Sequence, residues 1–363
     1  MPEVTRDDVE WVDDDETLGE VFCLTFIKDV DETEALSRLG ALPDTLRPRT
    51  LEEAREANGS YEAGYPEFAF ALNLGTWTVL IEPDGCLGSL TGPLTALSRG
   101  TEAVSVQRHE YDEHAFRYAV DGTLVTGFEP TWPHHRWGSE PDRLLGKMRV
   151  AGLDPDTKDD AEDDYVSSPY VPALLLAGLI TGAVPHPDVL AAEPLSAEIE
   201  PWFSTAPPSL SLSDPAMIAA LEAAPPHLLR TVAAREIMRL ATLLDLDGTP
   251  GLAETVAAAE RGEPVTVSPD SELGTHVRSW LTRSRQASRS LNDFARPKMS
   301  DDERIATNML GWFAGALKAA LWPEPHAAAR AMLYPLTQGP PQLRDPAQET
   351  VTLHTLRSNP DPT

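Results

Sequence analysis

The stretch FAFALNLGTWTVLIE, residues 68–82, decides the fold. Phe68 to Leu74 and Trp77 to Glu82 are short runs of apolar, aromatic and β-branched residues separated only by Gly75-Thr76, and that spacing predicts an antiparallel hairpin. Strand signals continue on either side of it. Upstream, Val21 to Lys28 (VFCLTFIK) has the length and residue types of a buried strand. Downstream, Thr101 to Arg108 predicts a third strand. Phe116, Tyr118 and Val120 then alternate with Arg117, Ala119 and Asp121, and the turn pair Asp121-Gly122 leads into a further strand, Leu124 to Phe128. Asp31 with Glu34, and Thr50 with Glu53, read as capping boxes opening two short helices, the first stopped by Gly40 and the second near Asn58-Gly59. The expected fold is α+β: an antiparallel sheet with one covered face, the cover coming from helices at the start and after Pro141.

The chain, at 363 residues, exceeds the size at which a single core stops growing, so two domains are expected. Residues 1–205 read as an acidic α+β domain, 206–340 as an all-α helical domain and 341–363 as a loosely ordered tail. Prolines at 185, 187, 194, 201, 207, 208 and 215 mark the linker. Beyond it, Leu229, Ala233, Ile237, Leu240 and Leu244 recur at helical spacing ahead of Gly248. Ile305, Met309, Trp312, Ala316 and Ala320 repeat the pattern before Trp322-Pro323, and a small helical bundle packs such elements. The apolar run Val171 to Val184 is too short to span a bilayer and suits a buried helix.

Charge is distributed unevenly. Residues 1–200 hold 40 Asp and Glu against 14 Lys and Arg, whereas residues 201–363 hold 18 against 15, so nearly all of the net −29 lies in the first part. A surface of that sign repels nucleic acid and anionic membrane and speeds encounter with basic partners. The start, MPEVTRDDVEWVDDDET, has neither the basic n-region nor the apolar h-region of a secretory signal, and a cytoplasmic location is expected. Cys23 and Cys86 belong to no metal-type pair and read as free thiols.

Several blocks occur together in one order: Phe22-Cys23-Leu24-Thr25-Phe26 leading into a helix from Glu32 to Ala41, WTVLIEPDG at 77–85, LSRGTEAVSV at 97–106, YAVDG at 118–122 and FEPTWPHHRWGSEPDRL at 128–144. With these blocks the chain resembles an uncharacterised family of high-GC Gram-positive bacterial proteins, domain of unknown function 6461, over roughly the first 200 residues. The resemblance implies no activity and no catalytic residues. The helical half is similar to extensions on some members of that family.

Four constellations bear on chemistry. RHEYDEH gathers His109, Glu110, Asp112 and His114, types that ligate zinc, but the two histidines are five apart rather than at the i, i+4 spacing of a zincin helix, and a solvated loop explains them. TWPHHRWG gathers Trp132, His134, His135, Arg136 and Trp137 between turn residues. Aromatics flanking Arg and His suit stacking on an extended peptide, an anion or a planar ligand; the alternative is that both indoles tie the loop to the sheet. DPDTKDDAEDD, residues 154–164, carries Asp159, Asp160, Asp163 and Asp164 with no apolar residue larger than Ala, which predicts a mobile loop. Arg278, Arg283, Arg285, Arg289, Arg296 and Lys298 form the basic stretch, read as docking onto the acidic half. EPDG at 82–85 lacks the alternating acids of a calcium loop. Ser139 reads as an N-cap with Pro141 in the first turn. No GxSxG-type nucleophile and no cofactor motif is present.

The leading expectation is a protein-recognition protein without catalysis, its acidic surface binding a basic protein partner, as an inhibitor or immunity-type factor does. The alternative is a metal-dependent enzyme or small-ligand binder using the His109–His114 and His134–His135 loops.

Overall fold

The structure is a computed structural model that describes residues 4–109, 114–156, 168–208, 210, 212–292 and 299–358. It divides into two units: Met1–Gly59 with Pro66–Ala206, and Ser60–Tyr65 with Pro207–Thr363.

The first unit is built on a nine-stranded antiparallel sheet. Its strands are β1 (Val21–Lys28), β2 (Arg47–Pro48), β3 (Glu67–Asn73), β4 (Trp77–Pro83), β5 (Glu102–His109), β6 (Ala115–Val120), β7 (Thr123–Phe128), β8 (Arg136–Trp137) and β9 (Leu195–Ile199). Their order across the sheet is β2-β9-β3-β4-β1-β5-β6-β7-β8. The 68–82 stretch is the β3–β4 hairpin, registered from Phe70 opposite Ile81 to Asn73 opposite Thr78. Asp121 and Gly122 turn β6 into β7 with φ of 45° and 76°, the double positive φ that two-residue hairpin turns require. Thr50 caps α3 (Leu51–Asn58) in a reciprocal capping box with Glu53, and Asp31 caps α2 (Glu32–Leu39) by accepting from Glu34 N–H; the short α1 (Asp15–Leu18) precedes both.

Both faces of the sheet are covered, not one. Even-numbered residues of β1, Phe22, Leu24 and Phe26, share a face with Phe70, Val79, Ile81, Val104, Val106, Phe116 and Phe128. Helices α5 (Leu145–Ala151) and α6 (Tyr170–Thr181), with the N-terminal turn around Val9 and Val12, pack on that face. On the opposite face Ile27, Ala69, Ala71, Leu80, Ala103, Ala119 and Ala197 meet α2 and α4 (Thr91–Leu97) through Leu36, Leu39, Leu94 and Leu97. Alanine on the strands lets these helices approach closely, and alanine carries a weak strand signal. Helix α6 is buried nearly all round, as its unbroken apolar run expects; among the described residues no helix is long and apolar enough to cross a membrane.

Three strands lie outside the sequence expectation. β9 falls inside the proline-rich stretch, between Pro194 and Pro201, and pairs with β3 from Glu67 opposite Ile199 to Ala71 opposite Leu195. β2 and β8, two residues each, form the two edges, where short strands limit unpaired backbone. The helix after Pro141 starts only at Leu145, and Ser139 caps nothing: its Oγ donates to Leu124 O.

The second unit is helical: α7 (Pro215–Glu222), α8 (Pro226–Leu243), α9 (Leu252–Glu260), α10 (Glu272–Arg289), α11 (Asp301–Ala320), α12 (Pro325–Met332), α13 (Tyr334–Thr337) and α14 (Pro346–Ser358). Trp280 of α10 stands edge-on to Phe313 of α11, ring centroids 5.2 Å apart. Buried Glu236 of α8 is held by Arg239 at 2.6 and 2.8 Å, and the same guanidinium donates to Leu343 O. Segment Ser60–Tyr65 joins this unit on α10, where Gln286 donates to Tyr61 O and Arg285 to Gly64 O. Within 341–363, expected as a loosely ordered tail, α14 is a formed helix because Leu356 is buried against the α7 and α8 core; residues 359–363 lie outside the described residues.

Candidate functional site

The loop between β7 and α5 is held by backbone and by one arginine. Trp132 N–H donates to Glu129 O and His135 N–H to Trp132 O, which folds the loop into consecutive turns. Arg136 braces it: Nη1 donates to Pro133 O at 2.8 Å and Pro155 O at 2.9 Å, while Nε and Nη2 both reach Asp142 Oδ1. That fork fastens three segments at once, a task suited to the rigid guanidinium plane. Trp132 is 47% exposed and Trp137 41%, whereas Trp77 and Trp280 are 5% exposed. His134 stands edge-on to Trp132 at 6.2 Å, and its ring centroid lies 4.2 Å from that of exposed His135. Trp137, on edge strand β8, lays its indole over Gly127 of β7. Of the four aromatic and imidazole side chains, both tryptophans and His135 face water on a braced loop, and Arg136 is the brace.

His109 ends β5, while His114 stacks edge-on against Tyr170 with centroids 4.8 Å apart and its Nδ1 3.2 Å from the Tyr170 hydroxyl. Arg108 lies over the same ring at 4.8 Å and donates to Val12 O. This is packing that closes the core at the end of β5 and the start of β6. Glu110 and Asp112 lie outside the described residues, as do Asp159, Asp160, Asp163, Asp164, Arg296 and Lys298. Among the described residues no group of three or more His, Cys, Asp or Glu is arranged to hold a metal ion. Of the acidic stretch, Asp156 takes two bonds from Arg149 and Asp154 accepts from Asp156 N–H.

Sequence reading missed a second constellation, a buried polar row on the small-residue face. Glu82, Cys23 and Gln107 lie side by side on β4, β1 and β5; one step along, Thr25, Ser105, Arg117, Gly127 and Trp137 continue the row to the sheet edge. Cys23 Sγ lies 3.2 Å from Ser105 Oγ and 3.4 Å from Thr25 Oγ1. The turn Leu87–Ser89 closes over them: Leu87 N–H and Gly88 N–H donate to the two Glu82 oxygens at 2.9 and 2.7 Å, Ser89 Oγ donates to Gln107 Oε1, and Arg117 donates to Ser89 O. Burial pushes the Glu82 carboxyl up to about 7, against the pull of the Gly88 and Leu87 N–H groups and the Cys23 thiol. Burial, and next the charge of Glu82, push the Cys23 thiol above its ordinary range, which makes it a poor nucleophile in place. Cys23 and Cys86 form no disulfide. The signal available in sequence was the i, i+2 polar spacing of Cys23-Thr25 and Ser105-Gln107, which on a sheet with one open face reads as solvent-facing.

The family described as a family of unknown function (DUF6461) matches residues 2–194. No curated protein and no solved structure matches the chain.

Proposed function

The chain belongs to the DUF6461 family, a family of unknown function, and from that footing we propose that it is a non-catalytic protein-recognition protein whose acidic N-terminal unit binds a basic protein partner, as an inhibitor or immunity-type factor does. The observation that carries this reading is the pair of half-exposed indoles, Trp132 and Trp137, on a loop braced by Arg136. Aromatic anchors presented on a pre-ordered loop lose little conformational freedom on binding, and such residues dominate interface energies. Excess negative charge in the same unit supports attraction of a basic partner and a fast association rate.

The test is capture from a lysate of a high-GC Gram-positive bacterium, the origin the resemblance implies, on the full-length chain at low salt. The expected result is one basic protein near equimolar amount, released as salt rises, with affinity falling at least about thirtyfold in the Trp132→Ala, Trp137→Ala double variant. Capture that survives high salt, or that the double variant retains unchanged, overturns the reading.

A further inference from the structure

The chain has two cysteines, and one side chain, Glu82, touches the surroundings of both. Cys23 lies directly opposite Glu82 in the β1–β4 pairing, and its thiol donates to the Glu82 carboxyl. Cys86 sits between Gly85 and Leu87. A methyl group added at Gly85 would lie 3.2 Å from Glu82 Cβ, and Leu87 N–H donates to Glu82 Oε2 at 2.9 Å. The segment is also fastened to β1 on either side of Cys86. Before it, Asp84 N–H donates to Val21 O; after it, a methyl added at Gly88 would stand 2.2 Å from Thr25 Oγ1, which is itself 3.4 Å from Cys23 Sγ. Glycine at 85 and 88 leaves no side chain to hold the turn off the strand, so Cys86 is kept beside the residues that flank Cys23. After burial and the charge of Glu82, the charge of Cys86 also acts on the Cys23 thiol. Access differs between the two: Cys86 is half-buried and Cys23 wholly buried.

We propose that Cys23 and Cys86 are a redox pair: a peroxide oxidises Cys86, and Cys23 then closes an intramolecular disulfide that fastens the Leu87–Ser89 turn to β1. The proposal is independent of what the indole loop binds.

The chemistry balances with the peroxide as the one co-reactant. The Cys86 sulfur attacks a peroxide oxygen and the O–O bond breaks, leaving a sulfenic acid and, from hydrogen peroxide, one water. The Cys23 sulfur then attacks the Cys86 sulfur, the S–O bond breaks, and the hydroxyl leaves with the proton of Cys23 as a second water. Two thiols are oxidised and one peroxide is reduced. A wholly buried thiol held above its ordinary range is slow towards oxidant from solution, so Cys86 reacts first. Cys23 needs no diffusion to meet the sulfenic acid, because the fold presents the two together.

The test treats the reduced full-length chain with hydrogen peroxide, stops the reaction with catalase and unfolds the protein in N-ethylmaleimide. The expected product is a monomer that takes up no maleimide, yields a peptide pair joined through Cys23 and Cys86, and regains both thiols in dithiothreitol. Maleimide on Cys23 with Cys86 carried on to sulfinic acid, or a dimer joined through Cys86, overturns the proposal. A second measurement follows the intermediate with dimedone, which traps sulfenic acids. Labelling of Cys86 is expected to be at least about tenfold greater in Cys23→Ser than in wild type, where Cys23 consumes the sulfenic acid first. Equal labelling in the two overturns the pair.

Discussion

The two faces of the sheet are made by the same strands and packed in opposite ways. One carries Phe22, Phe26, Phe70, Phe116 and Phe128 and is filled by bulk, with Phe116 and Phe128 stacked at 4.9 Å. The other carries Ala69, Ala71, Ala103, Ala119 and Ala197, and it gives way across β4, β1, β5 and β6 to Glu82, Cys23, Thr25, Ser105, Gln107 and Arg117. Bulky strand residues make a thick layer whose energy lies in area and dispersion. Small residues lower the strand surface so that α2 and α4 lie close, and the polar row trades area for directional bonds with the turn above it. Mutations should therefore act with opposite sign in volume on the two faces.

The largest expected effect is on the bulky face. Phe26→Ala removes a fully buried ring between Val79 and Val104 and is expected to cost about 3–5 kcal/mol. Urea unfolding checks it as a lower midpoint at unchanged slope. A cost below about 1 kcal/mol would mean that α5 and α6 collapse into the space and that this face is not rigidly packed.

Phe26 also marks what could be read without a structure. Its strand, the capped helices at Asp31 and Thr50, and the Asp121-Gly122 turn are local statements: residue type and spacing determine them, and they stand in the fold within a residue or so. β9 and the second covering layer are not local. Leu195 to Ile199 has two small residues in five, and its pairing with β3 closes a gap of more than 100 residues that no periodicity reports. Ser105 and Gln107 look solvent-facing until α4 and the Leu87–Ser89 turn are brought over them. Trp132 and Trp137 were visible as a cluster, but exposure is a tertiary property, decided by Arg136 holding Pro133 and Pro155.

On the small-residue face the sign reverses. Ala103→Leu adds volume where β5 meets α4 and is expected to destabilise by about 1–3 kcal/mol, although it adds apolar area. The same urea experiment reads it. Stabilisation would mean that a void underlies Ala103 and would erase the distinction between the faces.

The smallest effect is expected where the small face runs out to the surface. At Gly127 an added methyl would lie 2.8 Å from Nε1 and 2.9 Å from Cε2 of Trp137, closer than atoms pack. The backbone there is ordinary strand, so alanine brings no conformational strain. The atom it strikes is the end of a side chain already 41% exposed, and that side chain can swing outward. Gly127→Ala should therefore cost no more than about 0.5–1 kcal/mol while lifting the indole off the sheet. Iodide quenching of tryptophan fluorescence should rise relative to wild type, with Trp137→Phe as the reference that removes the responding ring. A cost of several kcal/mol with unchanged quenching would mean that Trp137 is locked in place, part of the sealed interior rather than the surface end of the row.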